Sequence, residues 1–205
     1  MDHPVFVIDD DAAVRDSILS VLRAQGITAR GFISGADFFE RLPDVDYACV
    51  VTDVRMPDMD GGDVVRRLSA EKGAVWPVVV ITGHAEVTLA VQMMKFGVVD
   101  FIEKPFEPDH LVETVRGCMS LLTDRRKQEA AVRHTLGRLQ QLTPRERQVF
   151  DALVEGFSNK EIALRLDISH RTVEIFRAKV MDKMRADNLS ALVRMGLMIA
   201  QTPDA

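Results

Sequence analysis

Five short apolar runs, Val5 to Ile8, Ile27 to Ile33, Ala48 to Thr52, Val78 to Thr82 and Val98 to Ile102, alternate with helix-sized stretches through the first half of the chain. Parallel strands need crossover connections and are covered on both faces. Runs with little polar alternation, separated by helices, therefore predict a doubly wound α/β domain with a five-stranded parallel sheet. In such sheets ligands gather beyond the carboxyl ends of the strands, so the residues at each run's end are the ones to read. The first run is followed by Asp9-Asp10-Asp11 and the third by Asp53; the fourth ends at Thr82, and Lys104-Pro105 follows the fifth. Convergence of these ends would place carboxylates, a hydroxyl and an ammonium around one pocket.

Clustered carboxylates repel unless a cation joins them. Hard oxygen ligands in an open, hydrated site suit Mg²⁺, which keeps several waters and joins one or two carboxylates to a phosphate. Asp53 is then the candidate nucleophile toward a phosphoryl donor, with the metal and Lys104 neutralising charge on the transferring group. Plainer readings stand beside this one. Asp9 and Asp11 could cap the helix that follows them, Thr82 could be a helix-start hydroxyl, and Lys104 a solvated lysine. His84, in a loop with no acid to orient it, is given no catalytic role.

From Pro108 the pattern is helical. Leu111, Val115, Met119 and Leu122, then Val132, Leu136 and Leu139, recur at helical spacing around the charged stretch Asp124 to Lys127. This segment is either one long helix or two broken near Asp124, and Gly117 and Gly137 weigh against continuity. Beyond it, Thr143-Pro144-Arg145-Glu146 and Ser158-Asn159-Lys160-Glu161 are capping boxes that start helices. Helices are predicted at about 144 to 155, 159 to 166, 170 to 184 and 189 to 200, an all-α four-helix domain. Val173, Phe176, Val180 and Met184 form the apolar stripe of the third. Its spacing from the second fits a helix-turn-helix whose second helix enters the major groove.

Charge follows this division: residues 1 to 120 hold 11 Lys and Arg against 20 Asp and Glu, and residues 121 to 205 hold 15 against 11. A modestly basic C-terminal half suits a polyanion partner, or an ordinary solvated surface. Lys160, Arg171, Thr172, Lys179 and Lys183 are candidate phosphate contacts, and Arg177 and Ile175 candidate groove readers. Cys49 and Cys118 read as small buried hydrophobes in a reducing cytosol rather than a disulfide. No charged-then-apolar leader and no apolar run of about 18 residues is present, so a cytoplasmic protein with no membrane partner is expected.

Val7-Ile8-Asp9-Asp10-Asp11, Thr52-Asp53-Val54-Arg55-Met56-Pro57-Asp58-Met59-Asp60-Gly61, Thr82-Gly83-His84 and Lys104-Pro105-Phe106 resemble the motifs of bacterial response-regulator receiver domains. The resemblance implies Mg²⁺ on Asp10, Asp9, Asp53 and the backbone carbonyl of Arg55, with Asp11 not a direct ligand. It implies phosphorylation of Asp53 by a sensor histidine kinase, Thr82 as switch hydroxyl, Lys104 as its cationic partner, and a cis peptide at Lys104-Pro105. Phe101 would be the aromatic switch, although core packing alone would explain it equally well. Leu142-Thr143-Pro144-Arg145-Glu146, Gly156-Phe157-Ser158-Asn159-Lys160-Glu161-Ile162-Ala163 and Ile168-Ser169-His170-Arg171-Thr172-Val173-Glu174 resemble the LuxR-type DNA-binding domain. Here Glu174, Phe176 and Lys179 stand where many relatives have Lys, His and Asn. Glu174 could accept from a cytosine amine or repel phosphates.

The combination looks most like the FixJ subgroup of transcription activators. It implies a receiver domain over 1–122, a helical linker over 123–141 continuous with the last receiver helix, and a DNA-binding domain over 142–205. The implied function is not that of an enzyme: phosphorylation would favour homodimerisation through the face of Ala85 to Phe96 and Val98 to Ile102, and binding to double-stranded promoter DNA, with RNA polymerase a further partner. One alternative is a phosphorylation-independent DNA-binding protein whose receiver only dimerises. Another is a metal-dependent phosphohydrolase, which would need a substrate cap and a general base that the sequence does not offer.

Overall fold

The computed structural model describes residues 3–42, 44–72, 75–83 and 93–200, in two compact units, Met1–Arg125 and Arg126–Ala205. The first contains β1 (Val5–Ile8), α1 (Ala12–Ala24), β2 (Ala29–Phe32), α2 (Gly35–Glu40), β3 (Cys49–Asp53), α3 (Gly61–Lys72), β4 (Val78–Thr82) and β5 (Val98–Glu103). All five strands are parallel, in the order β2-β1-β3-β4-β5. The three inner strands β1, β3 and β4 lack polar alternation because both faces are covered, while the edge strands β2 and β5 expose residues such as Arg30 and Val99. Phe6 and Ile8 of β1 join a core with Phe32, Phe38, Val64, Leu68 and Trp76. Val5 and Val7 point the other way, into a core with Ile18, Leu22, Leu111 and Val115. Cys49 and Cys118 are free thiols within this second core, where apolar packing decides their placement.

Strand limits differ from the sequence pattern in β2, β3 and β5, the last extending one residue further, to Glu103. Ile27 and Ile33 fall outside β2, which pairs with β1 alone over four residues; Ile27 still packs into the core, while Ile33 is 58% exposed. Asp53 is the last residue of β3 rather than the first after it, fixed in register opposite Ile81.

Helix α4 runs from Pro108 to Leu139 as one element, with Asp124 to Lys127 inside it. Three of these four residues are Arg or Lys, which are good helix formers. The Thr123 and Thr135 hydroxyls donate back to the Met119 and Ala131 carbonyls one turn earlier. No helix among the described residues is long and apolar enough to cross a membrane.

The second unit adds α5 (Pro144–Val154), α6 (Asn159–Leu166), α7 (His170–Met184) and α8 (Leu189–Ala200). Both capping boxes are formed: Thr143 and Glu146, and Ser158 and Glu161, each exchange side-chain and backbone bonds. Asp167 and Arg185 close α6 and α7 in the left-handed region, at φ 51° and 52°. Val149, Phe150, Leu153, Ile162, Val173, Val180, Met184 and Leu192 form the core. Phe176, expected in the α7 stripe, is only partly buried at its edge. Gly196 lets α8 lie against α5, since a Cβ there would sit 2.4 Å from a methyl of Val154.

Candidate functional site

At the carboxyl edge of the sheet, β1 delivers Asp9, β3 Asp53 and β4 Thr82, which are 1%, 9% and 3% exposed. Register aligns these ends: Ile8 lies opposite Thr52, Asp53 opposite Ile81, and Thr82 opposite Glu103, one residue before Lys104. The Lys104 backbone N–H donates to the Thr82 carbonyl at 2.8 Å, and the Lys104-Pro105 peptide is cis. From there Lys104 Nζ reaches Asp9 Oδ2 and Asp53 Oδ1, each at 3.1 Å.

Both partners are shifted upward, which disfavours the charged form of Asp9 and favours that of Lys104. Burial raises the Asp9 carboxyl above its ordinary value, against the opposing pull of Lys104 and the Asp11 N–H. Burial alone would lower Lys104, but its hydrogen bonds to Asp53 and Asp9 outweigh that and hold the ammonium above its ordinary value. One ammonium shared by two carboxylates satisfies itself better than it satisfies the more deeply buried acid. Asp9, Asp10 and Asp53 each offer an oxygen within 4.8 Å of the others. Three hard oxygen donors, two of them sharing a single lysine, form a donor set that fits Mg²⁺. Arg55, whose carbonyl the sequence nominated as a fourth ligand, lies exposed in the turn two residues past Asp53.

Asp11 is the N-cap of α1: its side chain accepts from the Ala13 and Val14 N–H groups at 2.8 and 3.3 Å. The capping reading thus holds for Asp11, while Asp9 accepts from the Asp11 N–H at 2.9 Å and also faces Lys104. Phe101 is partly buried against the Phe6–Trp76 core, opposite Val80. His84 and Ala85 to Gln92 of the nominated dimerisation face lie outside the described residues.

Two neighbours of the pocket were not nominated as site residues, although one of them, Gly61, closes the motif that begins at Thr52. Arg15, one turn into α1, donates to the Asp9 carbonyl at 2.8 Å, and an isolated arginine at helical spacing does not announce such a contact. Gly61 is the second: a Cβ there would stand 2.3 Å from the Asp53 carbonyl oxygen, so α3 can start beside β3 only from glycine. A neighbouring device, Asp58 at φ 67°, turns the chain between them.

In the second unit, Arg171, Glu174, Ile175 and Lys179 face solvent on α7, and Lys160 faces solvent on α6. Ile175, an apolar side chain, is 51% exposed. Glu174 approaches His170 Nδ1 at 3.6 Å, and Thr172 shares a 2.8 Å hydroxyl contact with the N-cap Ser169. Two nominated DNA contacts are placed differently from an outward-facing helix. Arg177 is half-buried and donates to Asn159 Oδ1 at 3.1 Å, bracing α7 against the start of α6. Lys183 Nζ donates to Glu146 Oε2 at 2.6 Å and to the Gln141 carbonyl at 3.2 Å. Lys183, then the Thr143 N–H, hold the Glu146 carboxyl down at about 2. Both cations are engaged within the unit, the nominated groove reader Arg177 by Asn159 and the nominated phosphate contact Lys183 by Glu146 and Gln141.

The family model described as response regulator receiver domain matches residues 5–116, and that described as bacterial regulatory proteins, luxR family, matches residues 140–196. The transcriptional regulatory protein FixJ of Bradyrhizobium diazoefficiens is 43% identical over 200 residues, covering 98% of this chain and 97% of its own length. The crystal structure of full-length FixJ from B. japonicum, 43% identical, aligns over 97% of both chains with a TM-score of 0.59. The response regulator StyR, 32% identical, aligns over 96% of this chain and 99% of its own with a TM-score of 0.79.

Proposed function

Because this chain belongs to the response regulators that join a receiver domain to a LuxR-type DNA-binding domain, we propose that it is a cytoplasmic transcriptional regulator, an activator, switched by phosphorylation of Asp53. The observation that carries this reading is the placement of Asp53 at the end of β3, 3.1 Å from Lys104 and beside Asp9 and Asp10, in one chain with a helix-turn-helix. An Asp53 carboxylate oxygen bonds to phosphorus as the bond to the imidazole nitrogen of a sensor histidine kinase breaks, and the imidazole leaves with the electron pair. Asp9, Asp10, Asp53 and the Arg55 carbonyl would hold Mg²⁺, which when bound neutralises charge on the transferring group. Lys104 exchanges its contact with the Asp53 carboxylate for one to the new phosphoryl oxygens, and the Thr82 hydroxyl supplies a donor on the other side.

The signal then passes through Thr82 and Phe101 to β5 and the segment that leads into it, where Val99 of the strand and Met94 and Phe96 before it are 41%, 55% and 40% exposed. An apolar patch there suits homodimerisation, which would pair two DNA-binding domains on two half-sites of promoter DNA. Arg171, Lys179 and Lys160 supply phosphate contacts, and Glu174 and Ile175 face the base edges. In this reading the receiver domain spans 1–122, residues 123–141 connect it, and 142–205 bind DNA; RNA polymerase is a further partner of the promoter complex.

The deciding experiment treats the intact chain with acetyl phosphate and Mg²⁺ and follows its mass, its size by light scattering and its affinity for promoter DNA. The native chain is expected to gain one phosphoryl group, to dimerise and to bind DNA more tightly, and Asp53→Asn to do none of these. Full labelling of Asp53→Asn would refute the site. Equal size and affinity with and without the donor would make the receiver a phosphorylation-independent dimerisation module.

A further inference from the structure

Arg133, His134, Gly137 and Arg138 fall on one face of α4, and with Gln141 just past its end, Lys183 in the last turn of α7 and Arg185 at its C-cap they line a cavity of about 510 Å³. No acid lines it. Glu146, the carboxylate that meets the lining residue Lys183, is bonded to it at 2.6 Å. Arg138 is half-buried and fixed by donating Nη1 to the Met184 carbonyl at 3.1 Å, which leaves the rest of its guanidinium edge available. The side chains of Arg133 and Arg185 make no hydrogen bond or ion pair among the described residues, while the Arg185 backbone N–H is taken by the Asp182 carbonyl. Three permanent cations therefore converge without a counter-charge in a cavity of the size that holds small molecules.

Gly137 supplies an independent pointer. Glycine inside a helix is unfavourable relative to alanine, and packing gives no reason for it: a Cβ there would meet nothing within 4 Å. What the bare position provides is open floor between Arg133 and His134 on one side and Arg138 and Gln141 on the other.

We propose that this cavity binds the polyphosphate group of a small molecule, the side chains of Arg133, Arg138 and Arg185 taking its oxygens. Guanidinium forks match phosphate geometry, and three uncompensated cations suit the charge of a diphosphate. The lining contains no Phe, Tyr or Trp to stack a base, so the phosphate chain, not a nucleobase, is what the site recognises. A DNA backbone is the weaker occupant. Groove-reading helices present their N-terminal residues to DNA, whereas this cavity lies at the C-terminal end of α7, and the exposed carboxylate of Asp182 stands beside Lys183.

The test titrates the intact chain calorimetrically, in chelator and at fixed ionic strength, with inorganic pyrophosphate, ADP and inorganic phosphate. Pyrophosphate and ADP are expected to bind one site with similar affinity, and phosphate about tenfold or more weakly. Arg133→Gln with Arg185→Gln should weaken pyrophosphate about tenfold or more. Gly137→Ala, which keeps the helix, should weaken it by crowding the floor, while Arg194→Gln on α8 should change nothing. The proposal is overturned by non-saturable binding, by equal affinity in the paired arginine variant, or by an equal loss in Arg194→Gln. It is also overturned if random-sequence duplex DNA displaces pyrophosphate and the paired variant loses DNA affinity to the same degree, which would make the cavity a DNA-backbone contact.

Discussion

At the edge of the sheet, Asp9, Asp53 and Thr82 are no more than 9% exposed, whereas the α7 residues best placed for DNA, Arg171, Glu174, Ile175 and Lys179, all face solvent. The first group is positioned by backbone register and held by charges that need one another. The second is positioned at a distance, by a core and by helix caps that the functional side chains do not touch. Removing one member should therefore be expensive in the pocket and cheap on the helix, with the sharpest contrast at residues that look functional but serve as braces.

The largest effect falls on Lys104. Lys104→Met removes the only cation within reach of both Asp9 and Asp53 among the described residues. Losing one preorganised donor to a developing anion slows chemistry by about 10²-fold. Incorporation from acetyl phosphate should slow by that order, with the DNA affinity of the unphosphorylated chain unchanged. An undiminished rate would show that the lysine is structural and that the pocket resembles the helix surface more than we argue.

The pocket was legible in the sequence because strand ends are few and a parallel sheet gathers them on one edge; Asp9, Asp53, Thr82 and Lys104 could be nominated before any coordinate. Gly61 and Arg15 were not, since their roles depend on how closely α3 and α1 pass the backbone of β3 and β1. On α7 the apolar stripe identified the buried face, and the capping boxes located two helix starts to the residue. Sequence did not reveal which flank residues are tied up. Arg177 and Lys183 differ from Arg171 and Lys179 only in their partners, Asn159 and Glu146, which lie 18 and 37 residues away.

Glu146 measures the strength of one such brace. Its carboxyl closes the α5 capping box and receives Lys183, and it is held down to about 2 from an ordinary 4.5. A depressed folded-state value stabilises the fold fully above pH 4.5, and this contribution is lost as pH falls toward 2. Glu146→Gln should cost the helical unit about 2 kcal/mol at neutral pH, read by hydrogen exchange across α5 and α7. The gap between variant and native chain should close on acidification through that window. A gap independent of pH would mean that shape, not charge, holds the brace.

The smallest effects separate brace from reader within the helix-turn-helix. Lys160→Ala removes an exposed charge and should weaken binding to all DNA sequences alike, reducing the salt slope by about one. Arg177→Ala removes the bond to Asn159 and should cost about 1 kcal/mol of stability while leaving the ranking of DNA sequences intact, because a half-buried guanidinium pointed at α6 does not reach a base edge. Binding measured over a panel of single-base operator variants checks both. If Arg177→Ala relaxed the preference at one base position by about 1–3 kcal/mol, as losing a bidentate base contact does, Arg177 would leave Asn159 on DNA and the distinction between brace and reader would fail for the residue on which it rests most.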